Sequence, residues 1–200
     1  MAAWRESAIE YIRANARPVD KFGHQPRLYA LAVELGQGMA FDDDIVFAAA
    51  WLHDIGVFIG HRPEDAAELA RWDHVPYTIA RVRELLPAWG FPAEKIDAVA
   101  EVIRTHQPKD EPKTTEAILL RDADILEQTG AVGILRAVAK VGRDSRYPSF
   151  SSVLPVLQTA ADRLPGRLHL EKARELARLR VESLRKFLAS VENEAGKLLF

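Results

Sequence analysis

The sequence predicts an all-α fold. Three observations carry this. Apolar residues recur every three or four positions along most of the chain. No run alternates apolar and polar residues for long enough to make a strand. Gly and Pro fall between the periodic stretches, where helices would stop. Taken in order, Ala8, Ile9, Tyr11 and Ile12 predict a first helix, closed by Pro18, and Leu28, Leu31, Ala32 and Leu35 a second, ended by Gly36 and Gly38. Asp42, Asp43 and Asp44 precede Ile45, Ala48, Ala49 and Leu52. Acidic residues there cap free N–H groups and suit the positive end of the helix dipole. This third helix is apolar on most faces and reads as the central one.

Gly56 and Gly60 mark a loop, and Pro63 is placed at the first position of a segment reaching about Trp72. Asp73 is an expected N-cap for a helix carrying Val75, Ile79, Val82 and Leu86, broken by Pro87, Gly90 and Pro92. Ile96, Val99, Ala100 and Ile103 recur at helical spacing, and 107–114 is a polar loop with two prolines. Thr115 is the expected cap of a helix with Ile118, Leu119 and Leu126; Gly130 and Gly133 interrupt before Ile134, Leu135 and Val138. Residues 143–152 read as a loop, and Pro165-Gly166 as another break. The last helix has a stripe of Leu170, Ala173, Ala177, Val181, Leu184, Leu188 and Val191, expected to pack on its own domain. Arg174, Arg178, Arg180, Arg185 and Lys186 on its other faces read as solvated. The expectation is one domain over 1–200, with a core at about 20–140 and a helical extension at about 150–195.

Composition narrows the function. Hydrophobic residues make up 48% and charged residues 28% of the 200, an ordinary folded balance. Lys plus Arg is 27 against 29 for Asp plus Glu, so the chain has no overall basic footprint for nucleic acid. The absence of Cys excludes disulfides, thiolate zinc and a Cys nucleophile. The first residues, MAAWRESAIEYIRANARP, carry charges throughout and do not read as a signal peptide. The longest apolar run, Ile45 to Leu52, is too short to span a bilayer. The expectation is a cytoplasmic protein with neither a nucleic-acid nor a membrane partner, a monomer or a homodimer.

Six histidines are present, and context separates them: His24, His53, His61, His74, His106 and His169. His53-Asp54 ends the most hydrophobic helix, where a polar pair is costly to desolvate unless something compensates it. A divalent cation would, since imidazole and carboxylate are ordinary ligands for transition metals; an Asp bonding its neighbours at a helix end is the plainer alternative. His24 opens the second helix, and Arg27 shares its face three residues on. Asp122 and Asp124 lie in the otherwise apolar segment AILLRDADILEQTG and need partners; Arg121 is one candidate and a metal another. His106 ends a helix and His74 begins one.

The order H…HD…D, with His24-Gln25-Pro26-Arg27, then Trp51-Leu52-His53-Asp54-Ile55-Gly56, then Asp122-Ala123-Asp124-Ile125-Leu126, resembles the HD superfamily of metal-dependent phosphohydrolases. Between these strings, His74-Val75-Pro76-Tyr77-Thr78-Ile79-Ala80 resembles the H-x-x-x-S-x-x-A helix start, and Ile103-Arg104-Thr105-His106 the I-x-x-H that follows. The resemblance covers about 20–140. It implies that His24, His53, Asp54 and Asp124 hold one metal, and that His74 and His106 add ligands for a second, with Asp54 shared. Asp122 is the second choice for the late carboxylate. Asp54, Arg27, His74 and His106 would be the catalytic residues, Arg27 facing a substrate phosphate. Metal ions in such a site polarise a phosphoryl group and make a bound water acidic near neutral pH.

The resemblance therefore implies a hydrolase of a small phosphorylated substrate, nucleotides included, with one or two ions of Mn, Zn, Fe, Mg or Ni. Other HD-type enzymes share this donor set and either activate oxygen on two irons or hydrate small molecules on zinc. A non-catalytic metal- or ligand-binding module is the alternative of another class. Val57 stands where the signalling phosphodiesterase branch has Lys and the nucleotidase branch has Glu, so neither specialised chemistry carries over. His61 and Arg62 lie near the site in sequence, and His169 is expected at the surface. Trp51, Trp72, Trp89 and Phe58 are expected as core or pocket wall.

Overall fold

The computed structural model describes the backbone of residues 1–200 and every side chain but that at position 20. It is all-α: ten α-helices and short 3-10 turns, with no strand among the described residues beyond one isolated bridge between Ile59 and Arg62. Two compact units make it up, 1–123 and 124–200, the division falling inside one helix.

The first unit holds α1 (Ala3–Asn15), α2 (His24–Leu35), α3 (Asp43–Leu52), α4 (Ala66–Arg71), α5 (His74–Ala88), α6 (Ile96–Arg104) and most of α7 (Thr115–Glu127). Helix α3 packs on α1, α2 and α6. All seven residues from Val46 to Leu52 are buried, as a helix apolar on most faces must be when neighbours surround it. Asp42 starts it as expected, its side chain accepting from the N–H groups of Asp44 and Ile45. Trp4 of α1 closes one side, edge-on to Phe47 at 5.4 Å and to Phe91 at 4.8 Å.

Three boundaries differ from the sequence reading. Pro63 lies before α4 rather than in it, because Asp65 takes the N-cap and accepts from Ala67 and Glu68. Helix α7 is capped by Thr114, not Thr115: the Thr114 Oγ1 accepts from the Ala117 N–H at 3.2 Å. Gly133 does not interrupt a helix but lies within α8 (Gly130–Val138), while Gly130 begins it with φ +69°.

The second unit comprises the end of α7, α8, α9 (Leu154–Arg163) and α10 (Glu171–Glu194). Helix α9 falls inside the expected helical extension of about 150–195, in a stretch whose own bounds the apolar spacing did not give. It buries Leu157, Ala160 and Ala161, and no side chain caps its start. Helix α10 buries Ala173, Ala177, Val181 and Leu184 and packs on α8 and α9, so the centre of the expected stripe is covered within the unit. Its basic side chains are not all solvated: Arg180 donates from Nη1 to the Leu126 carbonyl at 2.9 Å. No helix among the described residues is long and apolar enough to cross a membrane.

Candidate metal centre

The donor groups singled out in sequence sit at helix ends. His24 is the first residue of α2, His53 the C-cap of α3, His74 the first residue of α5, and His106 follows the end of α6. Helix ends bring side chains from separate segments together without burying a polar group mid-helix. The Nε2 atoms of His24 and His53 face each other at 3.3 Å. The Asp54 carboxylate lies 3.6 Å from the His53 Nε2, 3.5 Å from the His74 Nε2 and 4.0 Å from the His24 Nε2. The His106 ring stands 5.1 Å from that of His53 and 5.4 Å from that of His74, centroid to centroid.

The protonation pattern suits a cation. The His53 Nδ1 is 3.1 Å from the Ala50 carbonyl, and the His106 Nδ1 is 2.6 Å from the Ile103 carbonyl. A carbonyl can only accept, so each Nδ1 carries a proton, and whenever such a ring is neutral it is the Nε2 that presents the lone pair. Histidines that hold metals are fixed in this way by the bond their other nitrogen makes. Within the first unit, one group of three donors has ligand atoms all within 4.8 Å of one another: His53, Asp54 and His106. These residues fit a divalent metal with two nitrogen donors and a carboxylate.

Burial works against ionisation of Asp54. The imidazoles of His53, His74 and His24 in their protonated form, together with the Lys21 ammonium, nevertheless hold its carboxyl well below the usual carboxylate range. Lys21, in the 3-10 turn Val19–Gly23 ahead of α2, had no sequence signal marking it.

The turn after Asp54 is tied to α5. Trp72 donates its indole N–H to the Gly56 carbonyl at 2.8 Å, and the Gly56 N–H donates to Thr78 Oγ1 at 3.1 Å. A Cβ at Gly56 would stand 2.8 Å from the His74 carbonyl oxygen and 2.9 Å from the His74 Cβ. Only glycine lets the turn approach this closely, and the approach brings His74 to Asp54.

Arg27 is exposed, its guanidinium folded back against Gly23. Asp122 is fully buried, 4.0 Å from the Arg121 guanidinium, and is not part of that donor group. His61 lies between Tyr77 (Nδ1 to Oη, 2.9 Å) and Asn15 (Nε2 to Oδ1, 3.4 Å), and burial and the Arg81 guanidinium push its pKa down. His169 is exposed. Trp51 and Phe58 are buried, and Trp72 and Trp89 half-buried. A further residue absent from the sequence reading reaches a candidate ligand: the Gln128 Nε2 is 3.1 Å from Asp124 Oδ2. An i,i+4 spacing from Asp124 was the available signal.

The HD domain family model matches residues 22–129. The uncharacterized protein YpgQ of Bacillus subtilis is 27% identical over 179 residues, covering 86% of this chain and 82% of its own. The crystal structure of YpgQ in complex with ADP superimposes with a TM-score of 0.70 at 25% identity, covering 97% of this chain and 99% of that one. A structure described as a predicted HD superfamily hydrolase, from an uncultured Thermotogales bacterium, gives a TM-score of 0.61 at 25% identity, covering 92% and 91%.

Proposed function

Since the chain belongs to the HD domain family, we propose that it is a metal-dependent hydrolase of a small phosphorylated substrate, a nucleotide in the first instance. The observation that carries this is the convergence of His24, His53, Asp54, His74 and His106, with the Nε2 of His53 and of His106 left as a lone pair by an Nδ1–H bond to a carbonyl. His24, His53, Asp54 and Asp124 would hold one ion. His74 and His106 would complete a place for a second, with Asp54 common to both. A divalent cation here supplies Lewis acidity and an acidic bound water. The chain's own part is to orient these donors and keep Asp54 ionised. Lys21, and Arg27 at the head of α2, supply positive charge for a substrate phosphate. The nucleotide assignment draws on the ADP complex of YpgQ. At 25% identity this supports a nucleotide-sized anionic ligand more than a particular base.

The test pairs metal content by mass spectrometry with phosphate and pyrophosphate release from nucleoside mono-, di- and triphosphates. Wild type and Asp54→Ala are compared after incubation with Mn, Zn, Fe or Mg. The expected result is one or two equivalents of metal and hydrolysis in wild type, both lost in the variant. Wild-type protein that takes up none of these metals, or binds metal but cleaves no phosphorylated compound, would overturn the proposal.

A further inference from the structure

Asp124 sits in the last turn of α7, and the surroundings of its carboxylate are unusually well fixed. The Gln128 amide nitrogen is 3.1 Å from Asp124 Oδ2 and 3.2 Å from the Asp124 backbone carbonyl, so it donates to one residue at both its side chain and its backbone. Gln128 itself cannot shift easily. Its N–H donates to the Ile125 carbonyl at 3.1 Å, and Gly133 packs on its backbone so closely that a Cβ there would lie 2.4 Å from the Gln128 carbonyl oxygen.

The end of the helix is also clamped. Leu126 O accepts from Arg180 Nη1 at 2.9 Å and from Thr129 Oγ1 at 2.9 Å, and Glu127 O accepts from Arg136 Nη1 at 3.2 Å. These donors satisfy carbonyls that a helix C-terminus leaves open, and the guanidiniums suit its negative dipole end. Arg136 Nη1 also lies 3.9 Å from Asp124 Oδ1.

An aspartate's terminal torsion is broad, so an unheld carboxylate samples many rotations. We propose that Gln128 is a positioning residue: its amide, braced by Gly133 and the clamped end of α7, selects the rotation in which Asp124 meets a divalent cation. The inference rests on the reading of Asp124 as a metal ligand. Outer hydrogen bonds of this kind change metal affinity by roughly ten- to a hundredfold.

The experiment is Mn²⁺ titration calorimetry on the full chain stripped of metal, for wild type, Gln128→Met, Gln128→Ala and Asp124→Ala, with thermal melts of each in EDTA. Methionine keeps the length and helix preference of glutamine but donates nothing. The expected result is Mn²⁺ affinity at least tenfold weaker in Gln128→Met and Gln128→Ala, with metal-free melting temperatures close to wild type. Affinity within twofold of wild type would overturn the assignment. So would a loss that merely follows a fall in the metal-free melting temperature. Wild type that binds no Mn²⁺, or Asp124→Ala that binds as wild type does, would remove Asp124 from the ligand set and this inference with it.

Discussion

The amide N–H of Gly56 donates to the Oγ1 of Thr78 at 3.1 Å, joining the turn that follows Asp54 to the helix that begins with His74. Thr78 is fully buried, so the bond has no competing water. Thr78→Val keeps the shape and leaves the Gly56 N–H without an acceptor, which costs about 1–3 kcal/mol. Thr78→Ser restores the acceptor. Urea denaturation of the three proteins checks this, with Ser expected to sit near wild type and Val well below; equal midpoints for Val and wild type would contradict it.

Gly56→Ala should do more. Its Cβ meets the backbone and Cβ of His74, neither of which is the free end of a flexible side chain. The turn and the start of α5 must part, moving His74 from its 3.5 Å approach to Asp54. Turnover with Mn²⁺ is expected to fall at least tenfold, with a lower melting temperature. Unchanged turnover would show that His74 need not lie where it does.

Metal removal has a thermodynamic signature independent of turnover. A ligand at a hundred times its Kd stabilises the native state by about 2.7 kcal/mol. For a chain of this size that raises the melting temperature by roughly 5–10 °C. Mn²⁺ should produce such a shift and EDTA reverse it, and Asp54→Ala should show neither. A shift of the same size in the variant would place the cation elsewhere.

Acid should loosen the junction of α1 and α3. Asp44 accepts from Arg5 Nη2 at 2.7 Å and lies 3.0 Å from Lys95 Nζ. The Arg5 hydrogen bond, opposed by burial and aided by Lys95, holds its carboxyl below the usual range. A pKa depressed in the folded state stabilises at pH above the unfolded value, about 3.9. That contribution is lost as pH falls from there through the lower folded value. With Asp44 about one-third exposed, about 1 kcal/mol or less is at stake. Asp44→Asn should lower stability near neutrality and flatten the loss below about pH 4; an unaltered acid slope would contradict this.

Much of the fold was legible because its punctuation is chemical. Asp42 and Asp73 announce helix starts, and each accepts a backbone N–H in the structure. Helix α9 was not legible. Its start at Leu154-Pro155 follows Val153, which offers no capping side chain, and two of its three buried residues are alanines, so its apolar face is faint. The five donors of the first unit stood out because each polar group occurs at one end of an apolar helical run. Asp122 and Asp124 were harder to separate. Two residues turn a helix by roughly 200°, so only one can face a given partner, and periodicity does not say which. Gln128 was missed because its role depends on Asp124 and on how closely Gly133 approaches.

The candidate donors run from position 24 to position 124, and His53 and Asp54 alone are neighbours in sequence. The group of His53, Asp54 and His106 is complete once α6 and the residues just after it have been made. The set proposed for the other ion waits for Asp124 in α7. A fragment ending before α7 would thus carry the first set of donors and lack the second, so the two sets would be acquired in order along the growing chain.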